Sequence, residues 1–372
     1  MTLWRCHTDE MRSILEDGSE KQPGTEDKTM EKYYEEACRL HRTYPVVDTH
    51  LDLAAEIYYR RRNGEREVIR SHYLEPLKKA GVRLVVSSVF LENEDLPARG
   101  LELTLGQIAA LYEDLESVKE EVRLVRSKSE ILQVIEEGKI GILLYMEGLD
   151  VLTWDCSMLR CFYEMGVRGA SLTWSRRNYL GEGSCTASEY RQVRGGLSEL
   201  GKEAVRELEA LHMFVDVSHL NDDGFADLAR IAEKPFIASH SNARTIHDNY
   251  RNLTDDQIRL LSGRGGVMGM NACSEIVGAV PGPAGISKMC DHIEHIIRLA
   301  GPEHVGIGLD LCDAYYAARA KKELPAQRDD CLKDHSDLIL LTAELLRRGI
   351  REEDIARILG GNFLRYFCDI LE

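Results

Sequence analysis

Short apolar, β-branched runs alternate with longer amphipathic stretches from Tyr44 onward, and this alternation constrains the fold more than any other feature of the sequence. Such a pattern is typical of repeated βα units around a parallel sheet. Eight runs are candidate strands: Val46–Thr49, Val82–Leu91, Ile140–Met146, Gly169–Leu172, Phe214–Val217, Phe236–Ala238, Gly266–Met270 and Val305–Gly308. Eight strands with intervening helices favour an α/β fold of the (β/α)8 TIM-barrel type over an open doubly wound sheet.

Helical periodicity fills the stretches between these runs, for example in Leu200–Leu211 and Cys290–Ala300. The last amphipathic stretch, Glu352–Leu359, is followed by two glycines, Gly360 and Gly361. Because glycine commonly follows the end of a helix, we predict that the final helix ends there.

The first part of the chain differs in character from the rest. It is polar and charged, and it contains a segment rich in Gly, Pro and charged residues that resembles a connector. No second change of composition follows. We therefore predict an N-terminal extension over residues 1–43, partly flexible or helical, and one (β/α)8 barrel catalytic domain over residues 44–372.

Charge and composition exclude several classes of partner. The chain has 47 Lys and Arg against 63 Asp and Glu, a formal net charge of -16, which repels nucleic acids and anionic membranes. The apolar runs are too short to span a bilayer, and the 10 cysteines include no C-x-x-C pair. We expect a cytoplasmic protein that binds neither nucleic acid nor membrane.

The first chemically distinctive cluster, Asp48-Thr49-His50-Leu51-Asp52, lies at the end of the first candidate strand. Residues two apart in a strand point the same way, so His50 and Asp52 can present an imidazole nitrogen and a carboxylate oxygen to one metal ion. The carboxyl ends of barrel strands are also where such folds build their active sites. An isolated H-x-D motif is a weak signal, so the prediction depends on the other strand ends.

Four other strand ends carry a similar residue. Glu147, His219, His240 and Asp310 each follow an apolar candidate strand closely. Two histidines, one glutamate and the H-x-D pair supply ligands for two divalent ions, and Glu147 is the candidate bridge. Imidazole and carboxylate without thiolate suit zinc, although manganese, iron or cobalt can occupy such sites. Two ions a few ångströms apart share a hydroxide nucleophile at neutral pH.

Several short motifs together resemble the membrane (renal) dipeptidase family of zinc peptidases, in a bacterial-type soluble form. They are VVDTHLDLA, YMEGLD, FVDVSHL, FIASHSNAR, RNLTDDQI, HVGIGLD and GGNFLR, and they span about residues 44–368. The resemblance implies a (β/α)8 barrel and a homodimer. It also implies two Zn²⁺ per chain: one bound by His50 and Asp52, the other by His219 and His240, with Glu147 bridging.

The resemblance also implies roles in the reaction. Asp310 would carry the proton that passes from the attacking water to the leaving amine. Arg251 would pair with the terminal carboxylate of the substrate, a task that suits a guanidinium fork. The chain is thus expected to be a zinc-dependent metallo-dipeptidase that hydrolyses small dipeptides by means of a metal-bridging hydroxide.

One departure from the family pattern concerns the substrate. Where better-known members have an L-T-H motif, this chain has Leu172-Thr173-Trp174. An indole in place of the imidazole removes a titratable group and adds a bulky apolar wall, so Trp174 is a candidate substrate-binding residue. Two alternatives follow: a metal-dependent hydrolase of another amide or lactam, and a metal-binding barrel that has lost catalysis.

Overall fold

Eight parallel β-strands form the sheet at the centre of this computed structural model, which describes residues 25–184, 194–324 and 328–372. The strands are β1 (Val46–Leu51), β2 (Val82–Phe90), β3 (Val122–Leu124), β4 (Ile140–Glu147), β5 (Val167–Ser171), β6 (Phe214–Asp216), β7 (Met268–Met270) and β8 (Val305–Ile307). Their order is β6-β5-β4-β2-β1-β8-β7, and β3 pairs with β4 beside this path. The long middle pair, β2 and β4, stays in register from Leu84↔Gly141 to Phe90↔Glu147.

The sheet is curled, because one short segment bridges both of its edge strands. Ile237 forms an isolated parallel bridge to Asp216 at the end of β6, and Ala238 forms another to Met268 in β7. Two residues paired on opposite sides do not make an extended strand, so the predicted strand Phe236–Ala238 is present only as these bridges. Continuous pairing around a complete (β/α)8 barrel is absent at this point among the described residues.

Helices connect the strands and follow the last of them. They are α1 (Thr25–Thr43), α2 (Leu53–Arg62), α3 (Leu74–Lys79), α4 (Gly100–Leu115), α5 (Lys128–Glu136), α6 (Met158–Glu164), α7 (Glu199–Ala210), α8 (Asp222–Ile231), α9 (Asp255–Gly263), α10 (Ser274–Val277), α11 (Pro283–Ala300), α12 (Asp313–Ala320), α13 (Leu338–Arg347), α14 (Glu352–Ala356) and α15 (Asn362–Ile370). Among the helices of the described residues, none combines the length and the apolar character that a bilayer crossing demands.

The prediction that the last helix ends at Gly360 and Gly361 is wrong. A π-helical turn, Arg357–Gly361, joins α14 to α15 without a break. A Cβ atom on Gly360 would lie 2.2 Å from the Pro45 backbone oxygen. This glycine therefore allows the helix to pass close to the start of β1. The short strand β3 was also absent from the prediction, because its sequence, Val-Arg-Leu, has a charged residue in the middle and forms no apolar run.

Two apolar clusters hold the layers together. The larger cluster packs the surrounding helices against the sheet. The second joins alternate residues of the strands, such as Leu84 and Val86 of β2, to Phe363 and Phe367 of α15. Alternation along a strand sends successive side chains to opposite faces, so each face has its own core. The helix α15 lies near the starts of β1 and β8, which leaves the carboxyl ends of the strands for polar groups.

Part of the predicted N-terminal extension is helical. The helix α1 packs against α13, where Ala37 contacts Ile339 and Ala343 in a small apolar cluster. His41 contributes a buried hydrogen bond between its Nε2 atom and Thr342 Oγ1, 2.8 Å long. Residues 1–24 lie outside the described residues, so the predicted flexible part of the extension stays a prediction.

We predict that Gly308→Ala destabilises the fold strongly. A Cβ atom at this position would lie 1.8 Å from the Ser239 backbone oxygen and 2.7 Å from Thr49 Oγ1. Because main chain and not a flexible side chain blocks the space, we expect a loss of about 3 kcal/mol or more in the free energy of unfolding. Urea denaturation followed by circular dichroism measures it.

Gly263→Ala is the matched control. Nothing lies within 4 Å of a Cβ atom at this position, which is the last residue of α9. We expect a change of at most about 1 kcal/mol, in the stabilising direction, because alanine restricts the unfolded chain. Equal effects of the two substitutions would contradict the close approach at Gly308.

Candidate metal centre

The candidate metal ligands and Asp310 lie at or just beyond the carboxyl ends of the strands and of the bridged segment. His50 lies in β1 and Asp52 directly after it, Glu147 ends β4, His219 follows β6, His240 follows the bridged segment, and Asp310 follows β8. Parallel strands bring their carboxyl ends to one edge of a sheet. The local fold therefore gathers side chains that are distant in sequence.

Glu147 lies at the centre of three imidazoles. Its Oε1 atom lies 2.8 Å from His219 Nε2 and 3.3 Å from His240 Nε2. Its Oε2 atom lies 3.4 Å from His50 Nε2. The two other imidazoles also meet, because the Nε2 atoms of His219 and His240 are 2.8 Å apart. The carboxylate thus presents one oxygen to each side of the cluster.

A second group of possible ligands shares His50. Its Nε2 atom lies 3.9 Å from Asp52 Oδ1 and 3.7 Å from Asp310 Oδ1. Possible metal-ligand atoms therefore form two sets, each within 4.8 Å: His50 with Glu147 and His240, and His50 with Asp52 and Asp310. Ser88 donates a hydrogen bond to Asp52 Oδ1, which fixes that carboxylate.

Burial and neighbouring charges shift the pKa values of this cluster. Burial alone lowers the pKa of His50, but Glu147 and the other carboxylates outweigh it and raise that pKa to about 10. Burial alone raises the pKa of Glu147, yet the surrounding imidazoles hold it well below its ordinary value. Burial and then the Glu147 charge raise the pKa of Asp52 far above its ordinary value. The Glu147 charge therefore favours a cation at His50, whereas burial lowers the pKa of His219 to about 3 and also lowers that of His240, which favours their neutral forms.

Hydroxyl groups orient two of the imidazoles from behind. Ser175 Oγ lies 2.8 Å from His219 Nδ1, and Ser239 Oγ lies 2.6 Å from His240 Nδ1. The Ser239 backbone N–H also donates to Asp216 Oδ1 at 2.9 Å. Such partners of Nδ1 are usual where Nε2 binds a metal, since they fix the orientation and tautomer of the ring.

Two of the site residues have unusual backbone conformations. His219 has φ 71° and Asp310 has φ 55°, both in the left-handed region that favours glycine. A residue other than glycine in such a conformation costs on the order of 1–3 kcal/mol. Strain of this kind is concentrated at functional sites, where the surrounding structure holds the residue in place.

Asp48 supports the site without belonging to it, and the sequence analysis gave it no role. Its Oδ1 atom accepts hydrogen bonds from the backbone N–H groups of His50, at 3.2 Å, and Leu309, at 2.9 Å. Its Oδ2 atom lies 2.9 Å from His335 Nε2. This buried carboxylate thus ties the end of β1 to the end of β8. The sequence signal for this supporting role was the position of Asp48, two residues before His50.

Arg251 is buried beside the imidazoles, with 3% of its surface exposed. Its Nη2 atom donates to His219 Nε2 at 3.1 Å and to the His240 backbone oxygen at 3.3 Å. Burial lowers the pKa of this guanidinium, although it stays a cation. Among the described residues, no carboxylate lies within ion-pair distance of Arg251. The guanidinium is therefore free to pair with an anion that enters the site.

Trp174 lies at the edge of the cluster. Its ring centroid is 5.7 Å from that of His219 and 5.2 Å from that of Phe90. The guanidinium carbon of Arg176 lies 5.2 Å from the indole ring, and Arg176 is tied to Asp150 by hydrogen bonds of 3.1 and 3.0 Å. The indole is therefore packed on more than one side. The structure thus brings together or adjacent every residue that the sequence analysis assigned to the site.

The residues present fit a divalent metal ion. Neither ring nitrogen of His50 has a hydrogen-bond partner among the described residues, although both atoms are buried. Such unsatisfied atoms are rare in folded proteins and call for a partner such as an ion. The carboxylates of Asp52, Glu147 and Asp310 also lie close to one imidazole, that of His50, and carboxylates so close together repel one another unless a cation lies between them. Imidazole and carboxylate donors together suit zinc.

Two curated relatives resemble the chain over most of its length. Dipeptidase verJ of Clonostachys rogersoniana is 30% identical over 278 residues, which make up 75% of this chain and 68% of the relative. Human dipeptidase 3 is 29% identical over 353 residues, 90% of this chain and 67% of the relative. The chain thus spans about two thirds of the length of each.

Solved structures share the fold. A dipeptidase described as a metallopeptidase of family M19 superposes with a TM-score of 0.76 at 24% identity, covering 88% of this chain and 99% of that one. A metallopeptidase from Rhodobacter sphaeroides gives a TM-score of 0.75 at 22% identity, with the same coverage. The model of the membrane dipeptidase family matches residues 34–371. Because this match includes nearly the whole chain, the chain belongs to the membrane dipeptidase family, peptidase family M19.

Proposed function

We propose that the chain is a binuclear zinc-dependent dipeptidase that hydrolyses the peptide bond of small dipeptides. His50 and Asp52 would hold one Zn²⁺, His219 and His240 the other, and Glu147 would contact both. The observation that carries this proposal is the contact of one buried carboxylate with three imidazoles from three different strand ends. Membership of a family of dipeptidases supports the choice of substrate.

The chemistry divides between the ions and the protein. Two zinc ions, when bound, supply Lewis acidity and lower the pKa of water, so that a hydroxide nucleophile is available at neutral pH. The protein binds and orients the dipeptide and moves the proton. Arg251 would bind the terminal carboxylate through its guanidinium, which has no carboxylate partner among the described residues. The near-complete burial of the cluster strengthens such contacts by excluding water.

Asp310 would carry the proton of the reaction. Its Oδ1 atom faces the cluster and lies 3.7 Å from His50 Nε2. We propose that Oδ1 accepts a proton from the attacking water and passes it to the nitrogen of the leaving amine as the C–N bond breaks. A positioned carboxylate that acts in this way contributes about 10²–10⁴-fold to the rate.

A second candidate is a hydrolase of another amide or of a lactam. Trp174 favours it, because an indole 5.7 Å from the His219 ring stands where better-known family members have a histidine. The same hydroxide attacks any carbonyl that the pocket presents to it. A barrel without catalysis is the remaining alternative, and full zinc occupancy without turnover on a broad panel of substrates would favour it.

Some wider features are also proposals. We propose that the bridged segment 236–238 completes a (β/α)8 barrel, since main-chain hydrogen bonds of 3.0 Å to Val215 of β6 and 2.7 Å to Gly269 of β7 lie on its two sides. The catalytic domain over residues 44–372 and the homodimer stay predictions. The fold comparison guides the first substrate, because the Rhodobacter sphaeroides protein was solved with a phosphinate mimic of L-Ala-D-Ala.

We predict that Glu147→Gln abolishes metal binding and hydrolysis together. An amide keeps the shape of the side chain but removes the charge that three imidazoles surround, so neither ion is held well. Elemental analysis after zinc reconstitution should find about two zinc ions per wild-type chain and fewer than one in the variant. Hydrolysis of L-Ala-D-Ala should fall by at least about 10³-fold.

Glu209→Gln is the matched control for this substitution. Glu209 is also a buried glutamate. It accepts hydrogen bonds from the backbone N–H groups of Glu233 and Lys234, which lie away from the carboxyl ends of the strands. Zinc content and turnover should stay within about twofold of the wild type, since no ligand is touched. Wild-type chains without zinc, or a fully active Glu147 variant, would overturn the proposed function.

We predict that Arg251→Lys weakens binding of substrates that carry a terminal carboxylate. Lysine keeps the charge but lacks the planar fork, so we expect kcat/KM for L-Ala-D-Ala to fall by about 10- to 100-fold, mostly through KM. The C-terminal amide of the same dipeptide should show little difference between the two enzymes. An equal loss on both substrates would assign Arg251 a role other than carboxylate binding.

Arg168→Lys provides the control for this comparison. Arg168 is also buried, but it donates hydrogen bonds to the backbone oxygens of Arg126 and Tyr163, at 2.6 and 2.8 Å, near the start of β5. We expect kcat/KM to change by less than about twofold, because the substitution touches no residue of the cluster.

We predict that Trp174→His shifts the substrate preference toward small dipeptides. The imidazole restores a polar group that can bond to the developing charge, so kcat for L-Ala-D-Ala should rise by about tenfold, as expected for one hydrogen bond. A panel of L- and D-dipeptides and β-lactams measures the change. Trp154→His is the control, since Trp154 is 90% exposed. An unchanged ranking of substrates would exclude Trp174 from the pocket.

A further inference from the structure

The two oxygens of the Asp310 carboxylate have different surroundings. Oδ2 accepts a hydrogen bond of 2.8 Å from Asn271 Nδ2. Oδ1 lies 3.7 Å from His50 Nε2, and its described hydrogen-bond donor is the Cys312 thiol, whose Sγ lies 3.4 Å from Oδ1 and 3.2 Å from the Asp310 backbone oxygen. A thiol is a weak donor, whereas an amide N–H is a strong one. The strong hydrogen bond therefore falls on the oxygen that does not approach His50.

The backbone of Asp310 is already fixed without this hydrogen bond. The residue has φ 55°, and its N–H donates to the His50 backbone oxygen at 3.1 Å. The Asp310 side chain can still rotate, and this rotation determines which carboxylate oxygen faces the cluster. Asn271 acts on this rotation, because its amide holds one carboxylate oxygen from the end of β7.

Asn271 is itself held rigidly. It is fully buried, and its Oδ1 atom accepts a hydrogen bond of 2.7 Å from the Cys273 backbone N–H. The side chain of Asn242 makes two hydrogen bonds to the main chain of Asn271. Asn242 Oδ1 accepts from the Asn271 N–H at 2.9 Å, and Asn242 Nδ2 donates to the Asn271 backbone oxygen at 3.1 Å. The Asn242 N–H donates to Asn252 Oδ1 at 3.1 Å.

These buried amides connect the two residues to which the proposed function gives separate tasks. Asn252 directly follows Arg251 in the chain, so hydrogen bonds run from the turn that carries the guanidinium to the Asp310 carboxylate. A satisfied buried network of this kind specifies one arrangement of its members. Amides do not titrate, so the donor to Asp310 is present at every pH of the reaction.

We propose that Asn271 is a positioning residue that holds Asp310 Oδ2 and thereby turns Oδ1 toward the substrate. This inference rests on the proposed function, in which Asp310 carries a proton. Oδ1 takes that proton as the water oxygen bonds to the carbonyl carbon, and returns it to the amine nitrogen as the C–N bond breaks. With Oδ2 engaged by the amide, both transfers use the same oxygen.

Asn271→Ser tests the proposal. A serine hydroxyl can still accept from the Cys273 N–H, as such side chains do in local turns, but it is too short to reach Asp310. We expect kcat for L-Ala-D-Ala to fall by about 10- to 100-fold, with KM within about threefold, because a small displacement of a catalytic group has this cost. Zinc content should stay at the wild-type value, since the substitution replaces none of the five proposed ligands and removes from them only the 3.4 Å hydrogen bond of Asn271 Nδ2 to the His240 backbone oxygen.

A double-mutant cycle separates positioning from a general structural effect. In an Asp310→Asn background, Asn271→Ser should lower kcat by less than about twofold further, because residues that act as one unit are not additive. Equal losses in both backgrounds, or a loss only in KM, would overturn the proposal. Asn362→Ser is the control: Asn362 is also buried and donates to the Pro302 and Val305 backbone oxygens at 2.7 Å, near the start of β8.

Crystal structures of the zinc-loaded wild type and the Asn271→Ser variant give a readout that needs no activity. We expect the Asp310 carboxylate to rotate in the variant, and an unchanged carboxylate would refute the positioning role. If the wild type hydrolyses no dipeptide, the proposed function fails, yet this comparison still decides whether Asn271 sets the direction of Asp310. If Asn271→Ser does not fold, Asn242→Ser tests the same network one hydrogen bond further away.

Discussion

The contact of the Glu147 carboxylate with three imidazoles is the interaction on which the arrangement of the site depends. A buried carboxylate is stable only when it is paired and hydrogen-bonded. The sheet fixes its place, because β4 is paired with β2 and β5 up to this residue. The ends of β1, β6 and the bridged segment must then bring His50, His219 and His240 to one side chain. The sheet must therefore curl for the three imidazoles to reach Glu147.

The sequence predicted most of the fold because buried strands leave a strong local signal. Apolar runs such as Ile140–Met146 and Phe214–Val217 coincide closely with β4 and β6. The errors concern features that have no local signal. Gly360 follows an amphipathic stretch, as a capping glycine would. A glycine is needed there, however, because the Pro45 backbone oxygen, distant in sequence, leaves no room for a side chain. The segment at Ile237 has the composition of a strand, yet the curl of the sheet limits its pairing to single bridges.

The candidate ligands could be identified from the sequence, whereas the residues that hold the site in place by hydrogen bonds could not. Each ligand follows an apolar run, so its position at a strand end could be read locally. The supporting partners are separated from the groups they hold by long stretches of chain: Asn271 from Asp310 by 39 residues, Ser175 from His219 by 44, and Asp48 from His335 by 287. Serine and asparagine are also common in loops for reasons of turn geometry alone. Only the folded chain distinguishes these uses.

The candidate metal ligands and the candidate substrate-binding residue Trp174 lie in different parts of the chain, which allows one to change without the other. His50 and Glu147 lie in paired strands, and the other candidate ligands lie just beyond paired segments. Trp174 lies in the loop after β5, and its neighbours are Phe90 and the ion pair of Arg176 with Asp150. The indole lies beside His219, and that imidazole still lies 2.8 Å from Glu147 Oε1. A substitution in this loop can therefore change the surroundings of His219 while the candidate ligands keep their positions, since loops vary more freely than the strands that carry them.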